Sequence, residues 1–175
     1  IVKGLATFTA VPGRFELIEE GQDFAVVVDY AHTPDAVQKV FDSVGGAAVK
    51  GRIITVTGGA GRRDESTRME RGEICAKNSD IFIVTEDDSR DEAPAEIAER
   101  FVEGAEQAGM KRDKNLFVEL DRKKAINQAI KMAKKGDLVL ILGKGHEKTI
   151  LRADGPHAFE DLKVTRQAVK ELLKN

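Results

Sequence analysis

Apolar positions along the chain fall into short unbroken runs separated by stretches of helical spacing. The runs are Phe24 to Asp29, Ile53-Ile54-Thr55-Val56, Ile81-Phe82-Ile83-Val84, Leu116-Phe117-Val118 and Leu138-Val139-Leu140-Ile141-Leu142. Such runs predict strands: Ile81 to Val84 one buried on both faces, as in a parallel sheet, Phe24 to Asp29 a buried strand, and Leu116-Phe117-Val118 a short one. Between them the period changes to that of a helix. Thr33 is a good N-cap and Pro34 suits the first helical position. Ala36, Val37, Val40, Phe41 and Val44 follow, and Gly45-Gly46 ends the helix. A second helix is predicted from about Ser66 to Lys77. A third starts at Pro94, carries Ile97, Ala98, Phe101, Val102 and Ala105 on one face, and ends at Gly109. Asp121 caps a fourth, which carries Ile126, Ala129, Ile130 and Ala133 and is closed by Gly136.

A hairpin is expected over Thr149 to Phe159, with its turn at Asp154-Gly155-Pro156. The last helix carries Leu162, Val164, Ala168, Leu172 and Leu173. Strands alternating with helices predict an α/β fold: a three-layer αβα, Rossmann-like domain with a mainly parallel sheet. Residues 1–20 have weak periodicity and a turn at Val11-Pro12-Gly13-Arg14. They read as a lead-in or linker, and residues 21–175 as the domain.

Composition narrows the function classes. The chain has 175 residues, a 41% hydrophobic and a 33% charged fraction, the balance of a soluble globular protein. A net charge of −2 gives no general attraction to nucleic acid, and with 5% aromatic residues and no Trp, platforms for stacked bases are scarce. Cys75 is the one cysteine, so no intramolecular disulfide is possible; in an apolar helical pattern it reads as buried packing. No segment is apolar for long enough to cross a bilayer, and no signal peptide is evident. A cytoplasmic location and no membrane partner are expected.

Ligands of open α/β sheets bind beyond the carboxyl ends of the strands. Four of those ends are polar or glycine-rich: Asp29-Tyr30-Ala31-His32, Gly58 to Asp64, Glu86-Asp87-Asp88-Ser89-Arg90, and Gly143-Lys144-Gly145-His146-Glu147. Parallel strands bring them to one rim. The Glu86 to Arg90 stretch carries three carboxylates and a guanidinium, which suits a substrate bearing both an ammonium and a carboxylate. The Gly58 loop lacks the Lys-Ser/Thr of a P-loop and the spacing of a dinucleotide fingerprint. Its Arg63 can clamp a carboxylate or phosphate. His32 and His146 each sit near a carboxylate but form no metal-ligand cluster, so no metal site is expected here. No Gly-x-Ser-x-Gly elbow supports serine hydrolysis.

Val26-Val27-Val28-Asp29-Tyr30-Ala31-His32-Thr33-Pro34-Asp35-Ala36 resembles the opening of the C-terminal domain of Mur ligases, and is most similar to the UDP-N-acetylmuramoyl-tripeptide synthetase (MurE) branch. Pro12-Gly13-Arg14-Phe15-Glu16 resembles that family's Gly-Arg-Met/Phe-Glu element. Gly58-Gly59, Arg63-Asp64, Arg68, Asp87-Asp88-Ser89-Arg90 and Gly143 to Glu147 follow in the family's order. The resemblance covers nearly the whole chain. It implies ATP-dependent addition of a diamino acid to UDP-MurNAc-L-Ala-D-Glu in peptidoglycan synthesis. The terminal carboxylate becomes an acyl phosphate, and the incoming amine attacks it through a tetrahedral intermediate.

By that resemblance, Arg14 contacts nucleotide phosphate, Asp29 the ribose hydroxyls, and His32 lies nearby. Arg63, Asp87, Asp88, Ser89, Arg90, Gly143 and Glu147 hold the diamino acid. The family's usual motif for meso-diaminopimelate is Asp-Asn-Pro-Arg; here Asp88 and Ser89 replace Asn and Pro. The retained Arg90 favours a distal carboxylate, hence diaminopimelate, whereas the extra charge at Asp88 could favour L-lysine. The family's phosphate-binding loop, magnesium ligands and UDP-binding domain belong to other domains. ATP and Mg2+ are therefore expected as cofactors of the longer enzyme, with this chain alone inactive, without catalytic residues of its own, and monomeric. The rival readings are a sibling ligase of the folylpolyglutamate or cyanophycin type, a non-catalytic amino-acid or nucleotide binding module, and a Rossmann-like domain with no site.

Overall fold

A computed structural model of the chain describes residues 12–45, 49–63 and 65–174. The expected strands and helices form. In chain order they are β1 (Glu16–Leu17), β2 (Ala25–Asp29), α1 (Pro34–Gly45), β3 (Ile53–Gly59), α2 (Ser66–Asn78), β4 (Ile81–Glu86), α3 (Pro94–Gln107), β5 (Leu116–Val118), α4 (Arg122–Met132), β6 (Leu138–Leu142), β7 (Thr149–Arg152), β8 (Gly155–Ala158) and α5 (Asp161–Leu172). One sheet runs β1-β2-β6-β3-β4-β5, and β7-β8 form a separate hairpin. All pairings in the large sheet are parallel except β1 with β2, where Glu16 faces Val28.

Strand alternation divides the core into two layers. Val27, Phe82, Val84, Leu138, Leu140 and Leu142 face α1, α2 and α3. Val26, Val28, Ile83, Val139 and Ile141 face α4 and α5. The central strand β6, last of the sheet in sequence, is buried along its whole length. Chain direction explains the rim. The β2-α1-β3 connection passes over one face, and β5-α4-β6 returns over the other to insert β6 between β2 and β3. This is the reversal of strand order at which doubly wound sheets open a crevice.

Several boundaries differ from the sequence expectation. Strands β3 and β4 continue past their apolar runs, because ladder bonding needs only backbone: Gly58 pairs with Thr85 and Gly59 with Glu86. Helix α4 stops at Met132 rather than Gly136. The Asp137 carboxylate accepts the Lys134 N–H at 2.9 Å, and Gly136 turns the chain at φ +83° into β6. The β7–β8 turn falls at Ala153-Asp154, with Arg152 paired to Gly155. Glu16–Leu17, within the stretch read as a lead-in, forms the antiparallel edge strand and leads into a fully buried Ile18. The rest of that expectation, residues 1–11, lies outside the described residues, as do Gly46 and Asp64. Helices α2 and α3 touch backbone to backbone: a Cβ on Gly72 would lie 2.1 Å from the Phe101 carbonyl oxygen.

Candidate functional site

Beyond the carboxyl ends of β2, β3, β4 and β6 lies a cavity of about 510 Å³. Of the residues expected to hold an amino acid, Arg63, Asp87, Asp88, Arg90, Gly143 and Glu147 all line it; His32, expected near a nucleotide, lines it too. Ser89 does not: its hydroxyl donates to Glu86 Oε1 at 2.9 Å, away from the cavity. Arg14 and Asp29 are also outside the lining. Arg14 stacks over the Tyr30 ring, 4.5 Å from its centroid. Asp29, at the end of β2, accepts the Phe15 N–H at 2.7 Å on one oxygen and the Ala31 N–H at 2.7 Å on the other. It thereby ties the edge of the sheet to the β2–α1 loop. His32 turns Nδ1 to the Tyr30 carbonyl at 2.8 Å rather than to Asp29.

The electrostatic centre is a residue without an assigned role in the sequence reading. Lys144, fully buried, places Nζ 2.7 Å from Asp88 Oδ1, 2.7 Å from Glu147 Oε2 and 3.3 Å from Asp87 Oδ1. These three carboxylates have oxygens within 4.8 Å of one another, a spacing that could also suit a cation, and the ammonium supplies the charge there. Burial works against the Lys144 ammonium, but Asp87 and its other acidic neighbours outweigh it and hold its pKa above the usual value. Asp87 behaves reciprocally. Burial pushes its carboxyl up, but the charges of Arg122 and Lys144 hold it below the ordinary range. Gly143 is shaped for this packing. It sits at φ +117°, and a Cβ there would come 2.8 Å from Asp87 Oδ2.

Behind the carboxylates, Arg122 at the start of α4 is bidentate to Asp161 at the start of α5, at 2.8 and 2.7 Å. It also donates to the Glu86 and Leu142 carbonyls, 3.2 and 3.0 Å away, at the ends of β4 and β6. Burial opposes its charge, yet Asp161 beside it more than compensates. On the outer side, the β7–β8 hairpin clamps the acidic loop. Leu151 N–H donates to Asp88 Oδ1 at 2.9 Å, and Arg90 N–H donates to the Leu151 carbonyl at 2.9 Å. Arg90 holds φ +53° and gives Nη1 to the Gly61 carbonyl, which joins the acidic loop to the glycine loop. Tyr30 O–H donates to Glu147 Oε1 at 3.3 Å. The cavity thus has an acidic wall compensated from within and is also lined by Arg63 and Arg90.

Sequence reasoning passed over Lys144, Arg122, Tyr30 and Arg71. The signal for Arg71 was present. It shares the buried stripe of α2 with Arg68, Gly72, Cys75 and Ala76, where a charge needs a reason. Lys144, directly after the most apolar strand and flanked by glycines, carried a similar one. Arg122 and Asp161 lie 39 residues apart, so their pairing was not readable.

Comparison with known proteins agrees with this architecture. A family model described as Mur ligase, glutamate ligase domain, matches residues 13–145. The chain is 42% identical over 172 residues to the UDP-N-acetylmuramoyl-L-alanyl-D-glutamate--2,6-diaminopimelate ligase of Alkaliphilus metalliredigens, covering 98% of the chain and 34% of that protein. It is 39% identical over 169 residues to the UDP-N-acetylmuramyl-tripeptide synthetase of Treponema denticola, covering 95% and 31%. A solved UDP-N-acetylmuramoyl-L-alanyl-D-glutamate--2,6-diaminopimelate ligase superposes with a TM-score of 0.79 at 29% identity, over 98% of the chain and 34% of that chain. The UDP-N-acetylmuramate-alanine ligase of Thermotoga maritima shares the fold, with a TM-score of 0.60 at 15% identity over 98% of this chain and 32% of that one. The chain spans about a third of the length of the curated relatives it matches.

Proposed function

This chain belongs to the Mur ligase family as a C-terminal, glutamate ligase domain, and from that premise we propose that it is the amino-acid-binding part of an ATP-dependent ligase. The reaction is addition of a diamino acid, meso-diaminopimelate, to UDP-MurNAc-L-Ala-D-Glu in peptidoglycan synthesis. The relative at 42% identity is named for ligation of 2,6-diaminopimelate. The observation that carries the choice of amino acid is the state of Asp88. Its Oδ1 already accepts Lys144 Nζ at 2.7 Å and the Leu151 N–H at 2.9 Å. The charge that distinguishes this loop from the usual Asp-Asn-Pro-Arg motif is therefore compensated within the protein. It offers a bare distal ammonium such as that of L-lysine little net attraction, while Arg63 and Arg90 offer a distal carboxylate forked donors.

In this reading the acidic wall receives the ammonium end of the substrate and orients it. Asp87 and Glu147 accept from that ammonium with the lone pairs Lys144 leaves free. Gly143 lets the substrate approach the end of β6 closely. Arg14 and Asp29 would contact nucleotide phosphate and ribose; each Asp29 oxygen accepts one backbone N–H and keeps capacity for a hydroxyl donor. When bound, ATP with magnesium supplies the activation of the dipeptide carboxylate. The residues of this chain hold the amine in position and help exclude water from the activated ester. The domain proper includes the edge strand Glu16–Leu17 and the buried Ile18 ahead of residue 21. The protein acts in the cytoplasm as a monomer, with the sugar-nucleotide dipeptide, ATP and the diamino acid as its ligands.

The test is ATP-dependent tripeptide formation by the full-length protein, meso-diaminopimelate against L-lysine. Diaminopimelate should be the preferred substrate. Arg90→Ala should raise its KM by an amount corresponding to about 1.5–3 kcal/mol, the range for hydrogen bonds to charged groups. Equal use of both amino acids, or unchanged kinetics in Arg90→Ala, would remove this assignment.

A further inference from the structure

The arginines around the cavity differ in what pairs with them. Arg62 pairs with Asp91, Arg68 with Glu92, Arg152 with Glu86 and Arg122 with Asp161. Arg71 stands apart. It is 5% exposed, yet no carboxylate among the described residues forms an ion pair with it. Its Nη1 donates to the Gly58 carbonyl at 3.3 Å, and its Nε has no hydrogen-bond partner. Its guanidinium lies 4.6 Å over the Phe101 ring, on the surface where α3 meets α2. It also lines the cavity that Arg63 and Arg90 line.

A buried charge without a counter-ion is unfavourable, and burial does press the Arg71 pKa down, Asp87 offsetting it only in part. A flat guanidinium held on an aromatic face is nonetheless well oriented to receive a carboxylate. An anion entering the cavity would supply both the missing charge and an acceptor for the free donors. We propose that Arg71 is an anion-binding residue of this cavity, taking the distal carboxylate of the incoming diamino acid alongside Arg63 and Arg90. The inference rests on the amino-acid reading of the cavity. Nucleotide phosphate has the same anionic oxygen chemistry, but the facing wall of Asp87, Asp88 and Glu147 disfavours a multiply charged phosphate and suits a ligand that also carries an ammonium.

The test uses the full-length protein and measures KM for meso-diaminopimelate, L-lysine and ATP separately, with kcat. Arg71→Met keeps a flexible apolar contact on Phe101 and removes the charge. It should raise KM for diaminopimelate by about 10-fold to 100-fold. KM for ATP, any L-lysine turnover and kcat should stay as in the wild type. Its thermal midpoint without ligand should equal or exceed the wild type, because the charge removed had no internal counter-ion. Arg71→Lys keeps the charge without the fork and should fall between the two; if Arg71→Met does not fold, the lysine variant carries the comparison. An unchanged diaminopimelate KM in a folded variant, beside normal wild-type turnover, overturns the role of Arg71 alone. A loss that follows ATP instead assigns Arg71 to the nucleotide and also overturns it. Absence of diaminopimelate turnover by the wild type removes the amino-acid reading and this inference with it.

Discussion

Lys144→Met probes the charge balance of the site directly. The substitution keeps most of the stem volume and deletes an ammonium with three carboxylate contacts at 2.7, 2.7 and 3.3 Å. Lys144 is fully buried, so water cannot take its place without rearrangement. Removing one partner of a buried ion pair costs about 3–5 kcal/mol, because the other charge is left uncompensated. Arg122 still faces Asp87, so the lower half of that range is expected. For a domain of this size each kcal/mol moves the thermal midpoint by roughly 2–4 °C, so a fall of roughly 6–16 °C is expected. Circular dichroism melts at pH 7 measure it. The sign of the pH dependence follows from Asp87. Its folded pKa is held below the unfolded value, so its contribution is present above the unfolded pKa and lost as pH falls through the folded one. In the variant that contribution shrinks, and the gap from the wild type should narrow on acidification below about pH 4. A gap of less than about 2 °C at pH 7, under one kcal/mol by the same conversion, would refute the idea that Lys144 neutralises the acidic wall.

Arg122→Met should cost about 3–5 kcal/mol in urea unfolding, since Asp161 and two strand-end carbonyls lose their donor together. Adding Asp161→Leu should recover much of it, and a double variant no better than the single would argue against an uncompensated Asp161 charge as the cause. Burial pushes the Cys75 thiol up to about 12, so it should resist a thiol reagent at pH 8 in the native protein and react after denaturation. Gly143→Ala forces a Cβ to within 2.8 Å of Asp87 Oδ2 at φ +117° and should lower stability by about 1–3 kcal/mol in the same unfolding assay.

Much of the fold was legible because its signals are local. Thr33 and Asp121 mark helix starts, and Thr33 Oγ1 does accept the Ala36 N–H at 3.3 Å, as Asp121 Oδ1 accepts that of Lys124 at 3.1 Å. The apolar runs that predicted β2, β3, β4 and β6 are the buried strands of the sheet, whereas β5 lies at its edge with Val118 45% exposed. The site was legible as four polar strand ends, because parallel strands deliver their carboxyl ends to one rim. Within those loops the side-chain directions were not. Ser89 and Arg90 are neighbours in sequence, yet Ser89 turns to Glu86 while Arg90, at φ +53°, lines the cavity.

The order of hydrophobic and polar residues by itself determined that this chain is an alternating α/β domain with polar or glycine-rich strand ends at Asp29, Gly58, Glu86 and Gly143. Those signals depend on backbone period and capping, which act over a few residues. The tertiary structure alone decided which charges are compensated. Lys144 meets Asp87 and Asp88 across more than fifty residues of chain, Arg122 meets Asp161, and Arg71 meets no carboxylate among the described residues. Charge compensation depends on distance and burial in three dimensions, and no local pattern encodes either.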